Sequence, residues 1–354
     1  MPRPLAPILQ QLGVRVPIIQ APMAGVSTPK LAAAVSNAGG LGSIGLGAST
    51  PSAARQAIEE LRSFTDKAFN VNLFVHQSKP NDDVVNQAWL DALRPVFRQY
   101  DATPPTTLRE IYKSFNDDPE MLQVLLDTRP AVVSFHFGLP SESTMLQLKS
   151  IGTTLFASAT SLAEARIANA SPVDAIVAQG YEAGGHRGIF DPEEPDDRLS
   201  TMTLTSLLLE SCTKPVIAAG GIMNGQGIRS VLELGAIAAQ MGTAFVTTDE
   251  SAADEAYRIA MTSAAGEHTV MTSSISGRPA RALSNRFTGL DLTTVRTPAY
   301  PYTYDAGKAL HAAAKAKGET GYGAQWAGQG APLARHMGAS ELVRVLEQEL
   351  GQEY

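Results

Sequence analysis

Short apolar runs alternate along this chain with stretches of helical period. The runs cover residues 16–20, 41–45, 69–75, 131–137, 153–158, 174–179, 214–220 and 236–245. Between them, residues 29–38, 52–64, 141–150, 161–169, 203–212 and 225–234 repeat apolar positions at three- and four-residue spacing. The runs are almost continuously apolar rather than alternating. That pattern marks strands buried on both faces, as in a parallel sheet covered by helices. Eight strand–helix units predict an α/β fold, a closed TIM (β/α)8 barrel. An open doubly wound sheet is the alternative, but it carries its nucleotide glycines after the first strand. Here the first run ends in Gln20-Ala21-Pro22-Met23.

Two regions interrupt the rhythm. Residues 76–129 are too long for a simple crossover. They hold helix-like pieces at 82–100, 108–115 and 119–126, which predict a helical insertion above the barrel. After Phe245 no further barrel unit follows. A turn-rich part, 273–303, precedes helical parts at 304–317 and 340–350. The expected organisation is a barrel in residues 1–255, with the insertion, and a C-terminal cap in residues 256–354. The acidic run 191–197 reads as a solvated loop.

Composition narrows the function. The 354 residues are 44% hydrophobic, with a net charge of −7 and one cysteine, Cys212. No basic stripe points to nucleic acid. A lone cysteine forms no disulfide within the chain, which suits a reducing cytoplasm. Met1-Pro2-Arg3-Pro4 is not followed by a long apolar segment, and no run reaches membrane-spanning length. A soluble cytoplasmic protein without membrane contact is the expectation. None of the six histidines is spaced as a metal ligand, and neither a nucleotide-triphosphate loop nor a serine nucleophile elbow is present.

In a barrel the active site lies at the C-terminal strand ends. Those ends carry Ala21, Pro22 and Met23; Asn70 and Asn72; Ser134 and His136; then Gln179-Gly180-Tyr181-Glu182-Ala183-Gly184-Gly185-His186-Arg187-Gly188. Glycines let backbone approach a ligand, and a histidine beside them can exchange a proton near neutral pH. Strand seven ends at Gly220 and Gly221. Strand eight runs through Gln240, Met241, Gly242 and Thr243. Glycines at these two strands commonly form a phosphate site.

The chain resembles the class I nitronate monooxygenases. The resemblance rests on Gln20-Ala21-Pro22-Met23-Ala24-Gly25, Ser36-Asn37-Ala38-Gly39-Gly40-Leu41-Gly42, Asn70-Val71-Asn72-Leu73-Phe74, Ser134-Phe135-His136-Phe137-Gly138, the 182–188 loop, Tyr304-Asp305-Ala306-Gly307-Lys308 and Trp326-Ala327-Gly328-Gln329-Gly330. It implies an FMN barrel. The flavin ring would lie against Ala21, Pro22 and Met23, with Asn72, Gln179, Gly184 and Gly185 nearby. The phosphate would lie at Gly220, Gly221 and residues 240–243, closed by Trp326 and Gln329. It implies His186 as the catalytic residue, and Tyr112, His136, Tyr300, Tyr304 and Lys308 around the substrate. The implied reaction oxidises alkyl nitronates such as propionate 3-nitronate with O2, through a flavin semiquinone, to a carbonyl compound and nitrite. The implied assembly is a monomer or homodimer. An NAD(P)H-dependent flavin reductase of the same barrel superfamily is the alternative.

Overall fold

The computed structural model describes residues 4–352; Met1, Pro2 and Arg3 of the N-terminal expectation lie outside them. The strands in chain order are β1 (Ile18–Gln20), β2 (Gly42–Gly45), β3 (Phe69–Phe74), β4 (Val132–His136), β5 (Thr154–Ala159), β6 (Ala175–Gln179), β7 (Gly185–His186), β8 (Val216–Ala219), β9 (Ala238–Met241), β10 (Thr269–Thr272) and β11 (Ala280–Leu283). The helices are α1 (Pro7–Gln11), α2 (Pro29–Asn37), α3 (Pro51–Phe64), α4 (Asp83–Arg98), α5 (Pro119–Thr128), α6 (Glu142–Ser150), α7 (Leu162–Ala170), α8 (Thr201–Ser211), α9 (Gly225–Leu234), α10 (Thr243–Val246), α11 (Glu255–Thr262), α12 (Tyr302–Lys315) and α13 (Ala339–Gly351).

All eight apolar runs form strands of one parallel sheet, ordered β1-β9-β8-β6-β5-β4-β3-β2. A bridge between Ile19 and Leu41 joins its two ends into a barrel. Inside, Ile19, Val132, Phe156, Val177 and Ile217 form a packed plug with Leu9 of α1. Within the barrel, the open space lies at the opposite, C-terminal mouth. Outside, Ile44, Val71, Val133 and Ile176 pack under the helix ring. Helices α2, α3 and α5 each begin with a Thr or Asp cap followed by proline. Thr28 accepts from the Leu31 N–H, Thr50 from Ala53 and Asp118 from Met121. Each such cap stabilises its helix by about 1 kcal/mol.

The structure corrects several boundaries. The eighth run stops at Met241. Gly242 turns into helical backbone, and α10 takes up the rest. Residues 108–114 are not helical, and Phe115 only opens a single 3-10 turn, Phe115–Asp117. Pro104 and Pro105 remove two N–H donors and hold the preceding backbone extended, and the Arg109 N–H is tied to Asp305 of α12 at 3.0 Å. The turn-rich stretch contains β11, which pairs antiparallel with β10 and β7 in a three-stranded sheet. The tail is not all cap, since α13 packs between α9 and α2. Its Leu342, Val343 and Leu346 meet Leu31, Val35, Ile228 and Val231 on the barrel wall. The acidic run is also more than solvated: Asp196 pairs at 2.8 Å with Arg187, which is fully buried.

Insertion helix α4 packs against α12, and the two share a core of Trp89, Leu93, Phe97, Phe287, Ala306 and Leu310. This second core stands beside the barrel mouth, because α12 also carries the mouth residues Tyr304 and Lys308. Among the described residues, no helix is long and apolar enough to cross a membrane.

Gly42 shows how closely α2 rides on β2. A Cβ at this position would lie 1.9 Å from the Ala32 carbonyl oxygen, a backbone atom with nowhere to go. Gly42→Ala is expected to cost about 1–3 kcal/mol or more of stability. Urea unfolding checks this, and an unchanged midpoint would contradict the packing described.

Candidate active site

At the C-terminal mouth lies a cavity of about 470 Å³. Its floor is the 21–23 turn after β1. The Gln20 side chain accepts from the Ser43 N–H at 2.8 Å and donates to Ser27 Oγ at 2.9 Å. Ser27 Oγ in turn accepts from the Met23 N–H at 2.9 Å. The turn is thus pinned from beneath, and Ala21, Pro22 and Met23 face the cavity.

The opposite wall is built around His186. The 180–188 loop leaves β6 and returns as β7, where His186 pairs with Ala280 and Gly185 with Arg281 of β11. The His186 carbonyl oxygen accepts from Gln179 Nε2 at 3.0 Å and meets His136 Nε2 at 3.1 Å. Gln179 Oε1 accepts from the Gly188 N–H at 2.7 Å. A carbonyl has no proton, so His136 must donate through Nε2. Its Nδ1 then accepts from the Ser158 hydroxyl, 3.1 Å away. With both nitrogens engaged, His136 clamps the loop and has no ring nitrogen left for substrate, although it was read as a substrate ligand from sequence. The Gln179 side chain is likewise committed to the loop. Gly184 is needed for closeness: a Cβ there would sit 2.4 Å from the Gly328 nitrogen.

Electrostatically the site is one-sided. No Asp or Glu among the described residues lines the cavity, and Lys308 supplies the ammonium. Its Nζ stands 5.0 Å from the Tyr112 ring centre and 5.4 Å from that of Tyr304. Two aromatic faces hold this cation; no ion pair to a described carboxylate forms. The His186 imidazole is enclosed by Phe137, Tyr300, Tyr304 and Trp326. Removal of water, then the neighbouring His136 and Arg278, brings its pKa down to about 3. His136 is lowered to about 4, again mainly by burial. Both are neutral at pH 7. Burial also raises the phenols: Tyr304 to about 12, and Tyr112 and Tyr300 upward. They therefore keep their protons and can donate. An unopposed ammonium and protonated phenols around a neutral imidazole are chemistry that suits a small anion.

The far end is glycine-rich. Gly220 and Gly221 have φ of 120° and 69°, a region costly for other residues. Thr243 Oγ1 accepts from the Gly328 N–H at 3.0 Å. Its own proton is then free to donate into the cavity, which suits a phosphate oxygen.

Of the residues singled out in the sequence, Ala21, Pro22, Met23, Asn72, Tyr112, His136, Gln179, Gly184, Gly185, His186, Gly220, Gly221, Gln240, Met241, Gly242, Thr243, Tyr304, Lys308 and Trp326 line this cavity. Tyr300 does not; it is buried behind the wall with an unpartnered hydroxyl. Gln329 is exposed, tied through its backbone N–H to the Glu182 carbonyl at 2.9 Å. Sequence reading missed Tyr257, which lines the cavity and donates to the Trp326 carbonyl. It also missed Ser276, Arg278 and His76 just behind the imidazole. Ser276 Oγ lies 2.8 Å from His186 Nε2. The Arg278 guanidinium stacks on Phe137 at 4.3 Å. Only the histidine in Phe74-Val75-His76 gave any signal, as a polar residue ending an apolar run.

Residues 6–349 match the family model described as nitronate monooxygenase. A nitronate monooxygenase of Paraburkholderia phytofirmans is 58% identical over 98% of this chain and 95% of its own. One from Pseudomonas aeruginosa is 52% identical over 96% and 97%. A solved structure described as nitroalkane oxidase from Streptomyces ansochromogenes superposes with a TM-score of 0.90 at 39% identity, covering 97% of each chain.

His76 is 1% exposed and packs edge-on against the Tyr300 ring, 4.9 Å between ring centres. Burial, then Arg278, lowers its pKa from 6.5 to about 4. The unfolded chain therefore binds protons near pH 6.5 that the folded chain refuses until near pH 4. Stability from this group is complete above pH 6.5 and is lost as pH falls through that window. The melting temperature should start to fall below pH 6.5, ahead of carboxylate titration. His76→Phe should make the decline between pH 6.5 and 4.5 shallower. Parallel melting curves for the two proteins across that range would refute the assignment.

Proposed function

Because the chain belongs to the nitronate monooxygenase family of oxidoreductases, we propose that it binds FMN in this cavity and oxidises alkyl nitronates, propionate 3-nitronate among them, with O2 to a carbonyl compound and nitrite. The observation that carries this reading is the one-sided charge of the cavity: an ammonium, protonated phenols, and no carboxylate among the described residues of the wall. A nitronate is an anion with two oxygens, and those donors match it.

The donor set also fits the cofactor. The Gly220, Gly221, Gly242 and Thr243 end would hold the phosphate, and the 21–23 turn with Asn72, Gly184 and Gly185 would flank the ring. FMN, when bound, supplies the electron-accepting and oxygen-reactive chemistry. The chain's own residues do the rest. Lys308, Tyr112 and Tyr304 bind and orient the nitro oxygens. The aromatic wall excludes water, which strengthens each of these contacts. His186, neutral, stands where it can take a proton from a neutral nitroalkane; a nitronate, already ionised, does not require that step. We read the α4–α12 pair as the cap over this end of the barrel, and place the reaction in a reducing compartment from the single cysteine.

An anaerobic visible titration tests the whole reading. The purified protein should show a flavin spectrum that propionate 3-nitronate reduces and NADH leaves unchanged. Bleaching by NADH alone would move the protein to the reductase class. Lys308→Met should raise the KM for nitronate about tenfold or more, the loss expected for a charged hydrogen bond, with flavin still bound. His186→Asn should keep its flavin and lose turnover. The loss should be about 10²-fold or more on neutral nitroalkane and smaller on nitronate; full activity would remove His186 from its role.

A further inference from the structure

We infer that Ser276 sets the tautomer of His186, so that Nε2 carries the proton and Nδ1 turns its lone pair toward the cavity. A serine hydroxyl has one proton to give and two lone pairs to receive. Ser276 Oγ lies 3.1 Å from the Arg278 carbonyl oxygen, which can only accept. It also receives the Arg278 N–H at 3.4 Å. With its proton on that carbonyl, the hydroxyl can only accept from His186 Nε2, 2.8 Å away. The opposite tautomer would draw the hydroxyl proton to Nε2 and leave the carbonyl unpaired. Ser276 is fully buried, so water does not stand in.

The turn that presents the hydroxyl is rigid. Gly277 has φ 92°, and a Cβ there would lie 2.6 Å from the Tyr300 nitrogen. Arg278 is held by the Ile189 and Phe190 carbonyls and by the Phe137 face. Among the described residues, no hydrogen bond reaches His186 Nδ1, and His186 lines the cavity. Burial keeps the ring neutral, so a tautomer exists to be chosen. Ser276 touches neither cofactor nor substrate; it is a positioning residue.

The consequence for chemistry rests on the proposed function. With Nδ1 unprotonated, the imidazole can remove the α-proton of a neutral nitroalkane. The C–H pair becomes the C=N bond of the nitronate, the nitro oxygens take the negative charge, and the proton resides on Nδ1. A substrate supplied as nitronate bypasses this step.

The test reads the tautomer directly. In the flavin-loaded protein labelled with ¹⁵N-histidine, long-range ¹H–¹⁵N correlation identifies which His186 nitrogen bears the proton, and the His186→Asn spectrum assigns the signals. Nε2–H is expected in the wild type, and a mixed or reversed pattern in Ser276→Ala. In that variant kcat/KM for nitroethane should fall at least about tenfold, while that for propionate 3-nitronate changes less than about twofold. Ser276→Thr, which keeps the hydroxyl, should restore the wild-type pattern. Proton on Nδ1 in the wild type overturns the inference, even if the variants fail to fold. So does a Ser276→Ala protein with unaltered tautomer, or one equally slow on both substrates. Wild-type Nε2–H without turnover of either substrate would instead count against the proposed function.

Discussion

The backbone carbonyl of His186 is the point on which the site depends. It receives Gln179 from β6 and His136 from β4, while the same residue is paired in register with β11. One residue is thus fixed from the barrel and from the antiparallel sheet at once. A loop rich in glycine would otherwise sample many conformations, and ordering it costs entropy. Here the cost is offset by bonds between neutral partners shielded from water. Buried Arg187 extends the brace, bonding to the Gln179 and Gly180 carbonyls and pairing with Asp196.

The charges of the mouth follow the same logic of fixed, dry surroundings. Lys308 rests on aromatic faces instead of a carboxylate. Arg278 is buried against carbonyls and the Phe137 ring. Lys308 is held in place without being neutralised, so its field reaches into the cavity. A counter-ion beside Lys308 would have cancelled that field. The depressed imidazoles share this setting: burial comes first, and buried Arg278 adds to it for both His136 and His186.

The barrel was legible because its strands are buried on both faces, which turns each into a continuous apolar run. The glycine turns after β8 and β9 were legible for a related reason, since few other residues tolerate φ near that of Gly221. The antiparallel sheet was not. β7 is two residues long, and β11 contains Arg281, whose side chain reaches the Tyr181 carbonyl. Neither looks like a strand until the other is beside it. The 108–115 segment misled for the opposite reason. Leu108, Tyr112 and Phe115 have helical spacing, yet each is buried in a different place: Leu108 in the α4–α12 core, Tyr112 against Tyr300 and Phe137, and Phe115 in the barrel core beside Phe135. Roles such as that of His136 depend on which atoms meet its two nitrogens, information that no linear pattern contains.

The place of α13 bears on how the molecule comes into being. Its apolar stripe completes the wall between α2, near the start of the chain, and α9. During synthesis every barrel strand leaves the ribosome before α13 does. Until that segment arrives, Leu31, Val35, Ile228 and Val231 face water as an open seam. A ribosome stalled before residue 339 would hold an eight-stranded sheet with an unsealed apolar side.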